Sequence, residues 1–309
     1  MSKLISDAIA AEDVSKWYTS YELYPPRSEK AEEDMMKVLV PNFMRQSPVF
    51  LDLTWGAGGR TSDTTMRLCK DLQHAYPDTP INMHITCTNT PKGLINEALD
   101  FAKTHGIRNI LALRGDPPRG EEFRADPDGF ACARDLVRYI HDTYGDYFCV
   151  SVAGYPEGHP SRIAEDGAIS DEDHQKELEY LKEKVDAGAS FIITQLFYDA
   201  SLYVQFVKRC REIGITVPIL AGLLPITTYA GFVRMVSLCK TSVPSDVKKR
   251  VEELKENPDG LKEYGVEQCV QMIECIRTSG LDYHHLHFYT LNNSAQTFKV
   301  LKRLNALVE

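Results

Sequence analysis

The stretch TPKGLINEALDFAKTHGIRNILALRG, residues 90–115, predicts a helix, a glycine turn and a buried strand in direct succession. Thr90 is predicted as the N-cap of the helix and Pro91 as a residue of its first turn. Gly106 is suited to close that helix in the left-handed conformation, and the apolar run at 109–115 follows it as a strand. A helix that ends in glycine just before a buried strand is typical of the repeating unit of α/β proteins.

This joint recurs along the chain. Closing glycines also precede strands at Gly145, Gly188, Gly214 and Gly280. Eight short apolar runs are predicted as strands, at 19–25, 49–55, 81–87, 109–115, 148–156, 191–197, 218–225 and 285–291. Eight strands that alternate with helices in a chain of 309 residues predict an α/β fold, a single-domain (β/α)8 TIM barrel.

The alternative fold is an open doubly wound sheet, which usually carries a glycine-rich phosphate loop after its first strand. The segment YPPRSEK at 24–30 has no glycine, which favours the barrel. Residues 1–18 are predicted as a helical lead-in and residues 19–309 as the catalytic barrel. The segment 244–280 predicts extra helices between strands seven and eight.

Composition narrows the classes of partner. The chain is 43% apolar and 26% charged with a net charge of −9, so nucleic acid and anionic membranes are not expected partners. Eight cysteines without a C-x-x-C pair indicate reduced thiols, and no apolar run approaches the roughly 18 residues of a membrane span. The polar N-terminus does not resemble a signal peptide, and the expected location is cytoplasmic.

Polar residues gather where the strands are predicted to end. Because barrel enzymes place their chemistry at the carboxyl ends of the strands, these residues are the candidate site. They are Glu22, Thr54, His84, Asp116, Tyr155, His159, Gln195, Tyr289 and Asn292.

Glu22 is the most informative of these residues. It lies in YELYPP at 21–26, between aromatic and apolar neighbours that oppose easy solvation. Desolvation would raise the pKa of its carboxyl, which suits a general acid near neutral pH; the alternative is a solvated loop residue. Asp116 in LRGDPP has two readings, a turn cap or a site residue, and Arg114 is either a phosphate ligand or a surface charge.

Three further motifs bear on ligand binding. HITC and HHLH suggest zinc ligands, but strand residues at i and i+3 point to opposite faces and no full ligand set is visible, so no metal is predicted. WGAGG at 55–59 lacks the GK[ST] ending of a P-loop and is interpreted as a strand-to-helix connection.

Seven motifs in register carry a family resemblance. SYELYPPRS, LDLTWGAGG, HITC, LALRGDPP, VAGYPEGHP, LKEKVDAGASFIITQLFYD and LHFYTLN, from residue 20 to the end of the chain, together resemble methylenetetrahydrofolate reductase. The resemblance implies a (β/α)8 barrel that binds FAD. It also implies that NADH or NADPH reduces the flavin, which in a second half-reaction reduces 5,10-methylenetetrahydrofolate to 5-methyltetrahydrofolate.

The resemblance also implies residue roles. Glu22 is similar to the family's general acid, which protonates the departing nitrogen of the folate so that the one-carbon bridge opens to an iminium. Asp116 resembles a residue that contacts the pterin and tunes the reduction potential of the flavin. Gln195 resembles an amide that recognises the pterin. The implied flavin contacts are Thr54, His84, Arg114, Asp116, Ala153, Tyr155, His159 and Lys184, and the implied substrate contacts are Ser20, Glu22, Gln195, Tyr289 and Leu291.

The chain departs from the family pattern at several points. This chain has ELYPP where the family usually has EFFPP, and LAGLLP around Ala221 where PGILP is usual. It has Glu177 where an aspartate is expected and Asn293 where an arginine is usual. No regulatory region follows the last strand, which leaves a short bacterial-sized form or a truncated one. The alternatives are a flavin barrel of the proline-dehydrogenase type and a barrel without turnover that serves as a subunit of a larger reductase. The sequence leaves open whether the chain forms a homo-oligomer.

Overall fold

The structure, a computed structural model, describes residues 3–13, 16–56, 61–116, 125–164, 167, 169–281 and 285–305. Eight parallel strands pair in chain order and close into one barrel, which confirms the predicted fold. Their bounds are β1 Tyr18–Leu23, β2 Phe50–Leu53, β3 Ile81–Thr86, β4 Asn109–Leu113, β5 Cys149–Gly154, β6 Phe191–Thr194, β7 Ile219–Leu223 and β8 His285–Tyr289.

The described helices surround this barrel. Their bounds are α1 Ile5–Ala10, α2 Glu29–Asp34, α3 Val40–Met44, α4 Ser62–Ala75, α5 Lys92–Thr104, α6 Ala133–Tyr144, α7 Asp171–Asp186, α8 Ala200–Glu212, α9 Tyr229–Cys239, α10 Ser245–Glu253, α11 Pro258–Thr278 and α12 Ala295–Arg303. A π-helical turn, Met35–Leu39, joins α2 to α3, and a 3₁₀ turn, Gly145–Tyr147, follows α6. The predicted extra helices are present, because α9, α10 and α11 lie between β7 and β8.

Strand register decides which side chains meet inside the barrel. Glu22 on β1 pairs with Asp52 on β2 and with Tyr289 on β8, and Ser20 pairs with His287. Paired residues of neighbouring parallel strands lie on the same face of the sheet. Charged and hydrogen-bonding side chains from three strands therefore share the barrel interior.

The amino-terminal end of the barrel is closed by α1. Ile5 and Ile9 are buried against the inward-facing apolar residues of the strands, which include Phe50, Phe191 and Leu220. The backbone N–H of Ile5 donates to Oδ1 of Asn109 on β4 at 2.8 Å. The lead-in thus contributes directly to the barrel core.

The helix-to-strand joints follow the sequence prediction with one correction. All five predicted closing glycines have φ between 57° and 119°. The start of α5 was predicted wrongly, because Pro91 and not Thr90 is the N-cap. The hydroxyl of Thr90 donates instead to the carbonyl oxygen of Thr88 at 3.0 Å, which orders the turn before the helix.

Candidate active site

A cavity of about 500 Å³ opens at the carboxyl ends of the strands. Its size suits a small-molecule or cofactor site. Most of the predicted site residues line it: Glu22, Thr54, His84, Arg114, Asp116, Ala153, Tyr155, His159, Lys184, Gln195 and Tyr289. The structure therefore brings together residues from seven of the eight strands or the segments that follow them, including Lys184 on α7.

Glu22 lies at the inner end of this cavity. Its side chain keeps limited access to the cavity but is otherwise surrounded by protein atoms. Burial raises the pKa of Glu22 to about 7, the positive charge of His84 opposes this, and the carboxylate of Asp52 adds to it. A carboxyl with this pKa holds its proton at neutral pH in about half of the molecules.

Asp52 is a site residue that the sequence analysis missed. It is fully buried, lines the cavity, and its Oδ2 lies 3.1 Å from Nε2 of His84. Burial alone would lower the pKa of His84, but the hydrogen bond to Asp52 and the negative charges of Asp52 and Glu22 raise it above its ordinary value. A carboxylate inside the apolar run VFLDLTW was the available signal.

Tyr289 owes its position to a glycine on the neighbouring strand. Its hydroxyl donates to the carbonyl oxygen of Thr194 at 2.6 Å. A Cβ on Gly222 would lie 2.0 Å from that oxygen and 2.8 Å from the Tyr289 ring, so only glycine fits there. Gln195 follows Thr194 in the cavity wall, and its amide oxygen accepts from the backbone N–H of Leu196 at 2.9 Å.

One wall of the cavity is cationic. Nζ of Lys184, a buried residue, donates to the carbonyl oxygen of Ala153 at 2.6 Å, and burial lowers the pKa of this amine to about 8. Nη2 of Arg114 lies 3.3 Å from Nε2 of His159. Burial, followed by the charges of Arg114, Lys184 and Arg162, lowers the pKa of His159 to about 4, so this imidazole is neutral at pH 7.

Another cavity residue is Glu177, one of the positions where the sequence departs from the family pattern. Glu177 lines the wall, and its Oε1 lies 2.5 Å from Nε of Arg162. The ring of Tyr155 packs edge-on against His159 with centroids 4.8 Å apart. Asp116 is exposed at the mouth.

The loop before Asp116 approaches a neighbouring strand closely. Gly115 has a φ of 81°, and a Cβ there would lie 2.7 Å from Cβ of Thr86, so the position requires glycine. The prolines after Asp116 and most of WGAGG, at 57–59, lie outside the described residues.

Two predicted substrate residues are not part of this cavity. Ser20 is fully buried below it, where its hydroxyl lies 2.8 Å from Nδ1 of His287 and 3.0 Å from Nε2 of His285. Ser20 is two residues before Glu22 and therefore one layer deeper in the barrel. Leu291 is 42% exposed at a φ of 48° and lines a separate surface groove beside Tyr24.

The residues after β8 are structural in this arrangement. The amide of Asn292 bonds both backbone groups of Tyr24, at 2.8 and 2.9 Å, and thereby ties β1 to β8. Oδ1 of Asn293, which stands where the family has arginine, accepts from the backbone N–H of Ala295 at 2.9 Å and orders the first turn of α12. No group of three or more acidic, histidine or cysteine residues in the described ranges could hold a metal ion.

The fold and the cavity define a TIM-barrel protein with a ligand site at the carboxyl ends of its strands. The family model for methylenetetrahydrofolate reductase matches residues 6–305. The chain belongs to the methylenetetrahydrofolate reductase family.

Curated relatives agree with this assignment. The chain is 43% identical over 94% of its length to methylenetetrahydrofolate reductase (NADH) 1 of Arabidopsis thaliana, covering 48% of that protein. It is 41% identical over 99% of its length to the Zea mays protein of the same name, covering 51% of it. Methylenetetrahydrofolate reductase 2 of Saccharomyces cerevisiae is 38% identical over 93% of the chain, which covers 47% of that protein. The chain thus spans about half the length of these relatives.

Among solved structures, a Clostridium thermocellum protein described as binding two copies of 5-methyl-5,6,7,8-tetrahydrofolic acid superposes with a TM-score of 0.62. The two share 12% identity, and 97% of each chain is covered, so the likeness supports the fold. None of the helices in the described residues is long and apolar enough to cross a membrane.

Proposed function

We propose that this chain reduces 5,10-methylenetetrahydrofolate to 5-methyltetrahydrofolate with FAD as cofactor and NADH or NADPH as reductant. The observation that carries the proposal is a glutamic acid at the inner end of the barrel cavity whose burial raises its pKa to about 7. Family membership supplies the reaction class. A proton donor near neutrality is what the opening of the folate bridge needs.

The cavity residues fit FAD. Arg114 and Lys184 are suited to the pyrophosphate, which needs cationic partners in a chain of net charge −9. Nε1 of Trp55 and Oγ1 of Thr86 are buried at the cavity and have no hydrogen-bond partner in the described part of the chain, so a polar ligand would satisfy them. When bound, FAD supplies hydride transfer from the nicotinamide to the folate.

Glu22 is the proposed general acid. Its protonated carboxyl gives a proton to the departing nitrogen, the bond from that nitrogen to the bridging carbon breaks, and the carboxylate remains. Positioned proton donors of this kind contribute about 10²–10⁴-fold to a rate. The barrel interior holds Glu22 in place through the backbone, because Thr290 donates to its carbonyl oxygen at 2.6 Å.

Other cavity residues are proposed to bind the ligands. Gln195 and Tyr289 border the pterin, and Asp116 at the mouth contacts the pterin and flavin. Thr54, His84, Ala153, Tyr155 and His159 are the further proposed flavin contacts. The relatives' names include NADH in Arabidopsis thaliana and NADPH in Caenorhabditis elegans, so both reductants belong to the proposal.

The lead-in 1–18 and the barrel 19–309 are proposed to form one catalytic unit. Burial of Ile5 and Ile9 of α1 in the barrel core supports this. The family match decides against a proline-dehydrogenase-type barrel. A barrel without turnover is the alternative that experiment must exclude.

The test is anaerobic absorption spectroscopy of the purified protein with FAD. NADH or NADPH should bleach the flavin, and methylenetetrahydrofolate should restore its colour. Glu22→Gln should bleach normally but recolour at least about 100-fold more slowly, because only the folate step needs the proton.

Glu157→Gln is the matched control. Burial also raises the pKa of Glu157, but this residue lies outside the cavity lining and accepts from the backbone N–H of Ser242 at 2.8 Å. The control should recolour at the normal rate. A protein that takes up no FAD, or a Glu22→Gln variant with normal recolouring, would contradict the proposal.

A further inference from the structure

A continuous row of polar side chains runs through the barrel below Glu22. We define the relay chain as Glu12, His285, Ser20, His287, Asp52 and His84. From the amino-terminal end, Oε1 of Glu12 lies 2.6 Å from Nδ1 of His285, and Nε2 of His285 lies 3.0 Å from the Ser20 hydroxyl.

The upper part of the relay chain reaches the cavity. The hydroxyl of Ser20 lies 2.8 Å from Nδ1 of His287, and Nε2 of His287 lies 3.7 Å from Oδ2 of Asp52. The same Oδ2 lies 3.1 Å from Nε2 of His84. A serine hydroxyl donates one hydrogen bond and accepts others, so Ser20 can pass a proton between the two imidazoles.

The two ends of the relay chain have different surroundings. Glu12 has 7% of its side chain exposed and lies between Ala11 and Asp13, which are exposed residues at the amino-terminal end of the barrel. At the other end, Asp52 and His84 line the cavity with Glu22. The relay chain thus runs from the solvent side of one barrel end to the cavity, where Asp52 is the strand neighbour of Glu22.

The link between His287 and Asp52 contains unused hydrogen-bonding capacity. Within the described residues, Nε2 of His287 and Oδ1 of Asp52 are buried without a hydrogen-bond partner. Orphaned buried polar atoms are rare because each costs free energy. A rotation or approach of less than about 1 Å would bring these two side chains to normal hydrogen-bond distance.

The relay chain offers Glu22 a route for reprotonation that does not pass through the cavity. Its access to solvent is through the cavity, which the substrate and cofactor occupy under the proposed function. Each turnover consumes one proton, because NAD(P)H supplies only a hydride. Until the folate product leaves the cavity, the acid can be reloaded only from the barrel interior.

We propose that the relay chain returns a proton to Glu22 from the amino-terminal end of the barrel. The inference rests on the proposed function. After Glu22 has protonated the departing nitrogen, its carboxylate takes a proton from the Asp52–His84 pair. That pair is reprotonated through His287, Ser20 and His285, and water protonates Glu12 at the far end, so one proton enters for each one consumed.

Ser20→Ala is the decisive variant, because it removes the hydroxyl between the two histidines and leaves every cavity-lining residue in place. The enzyme is reduced with one equivalent of NADH and mixed with methylenetetrahydrofolate in weak buffer containing a pH indicator. In the unaltered protein, proton uptake should keep pace with flavin recolouring. In Ser20→Ala at pH 6, where most Glu22 side chains hold their proton, recolouring in this single turnover should be near normal, whereas proton uptake should lag behind it at least tenfold.

Ser151→Ala is the matched control. Ser151 is also a fully buried serine of the barrel interior, but it bonds Asn82 and the carbonyl oxygen of Ile110, outside the relay chain. Its proton uptake should stay normal. Should Ser20→Ala fail to fold, Glu12→Gln tests the same route from the other end and should show the same lag. Uptake that keeps pace in either folded variant overturns the proposal.

A second measurement does not depend on turnover. In the protein without ligands, the Ser20 hydroxyl contacts both His285 and His287, so Ser20→Ala should shift the ¹⁵N resonances of both imidazoles while Ser151→Ala does not. Imidazole resonances that Ser20→Ala leaves unchanged overturn the relay chain. Absence of folate-dependent recolouring in the unaltered protein overturns the proposed function instead, so the two failures are distinguishable.

Discussion

The two sides of the barrel interior differ sharply in chemistry. On the polar side, β1, β2 and β8 turn Glu22, Asp52 and His287 inward. On the apolar side, β6 and β7 turn Phe191 and Leu220 inward, and both are fully buried. The same strand geometry therefore carries ionisable groups at one side and a hydrophobic core at the other.

The contrast between the two sides explains how the fold can hold a buried acid such as Glu22. Buried charged groups cost free energy unless they are well paired. Burial therefore favours the neutral form of the Glu22 carboxyl and raises its pKa. Burial of large apolar side chains is the main favourable term in folding. We infer that the apolar side stabilises the barrel against the cost of the polar side.

Phe191→Ala would break the apolar side and has the largest expected effect. Phe191 is fully buried and packs against Phe50 with ring centroids 5.9 Å apart, so its truncation should leave a cavity in the core. The free energy of unfolding should fall by about 3–5 kcal/mol in urea denaturation. Leu238→Ala, at a residue 60% exposed, should change it by less than about 0.5 kcal/mol. Equal losses in the two variants would contradict the contrast.

Glu22→Gln should have the opposite effect on stability. The pKa of Glu22 is raised from 4.5 to about 7 on folding, so the folded state binds more protons than the unfolded state between these pH values. This group's stabilising contribution is complete below pH 4.5 and is lost as pH rises through about 7. Glutamine does not titrate, so the variant should be more stable than the unaltered protein at pH 8 by up to about 3 kcal/mol, and nearly equal at pH 4.

Urea denaturation at the two pH values measures this difference. Glu256→Gln, at an exposed position, should show no such pH-dependent gain. A Glu22→Gln variant that is no more stable at pH 8 would mean that the carboxyl is not desolvated, and the proposed acid would lose its physical basis.

The strands and the acid were predictable for the same reason. Strands show as apolar runs between glycines, and Glu22 stands out as a charge among aromatics. Asp52 stands out in the same way but lies two residues before Thr54, so a rule that examined only strand ends passed over it. Its partner His84 is on another strand, and their meeting depends on register and side-chain reach, which a sequence does not contain.

The placement of Ser20 and Leu291 outside the cavity has a related cause. Ser20 and Glu22 alternate along one strand on the same inward face, and which of them reaches the cavity depends on depth in the barrel. Leu291 lies two residues after β8, but its left-handed backbone turns the chain away from the cavity. Gly222 shows its role only once the Tyr289 ring and the Thr194 carbonyl are placed beside it.

Asp52→Asn would test whether the polar side acts as one electrostatic unit, with the smallest expected effect. Asparagine keeps the shape and an accepting oxygen but removes the charge. Burial then dominates at His84, whose pKa should fall in a histidine ¹⁵N titration. His159, which faces Arg114 at another part of the cavity, should titrate unchanged.

The response of Glu22 in Asp52→Asn should be smaller than that of His84. The charge of Asp52 raises the pKa of Glu22, whereas the positive charge of His84, which Asp52 supports, lowers it. Removal of Asp52 weakens both influences at once, so they offset each other and burial continues to set the pKa. A large shift at Glu22 with none at His84 would show that the two carboxyls interact directly and that the imidazole does not couple them.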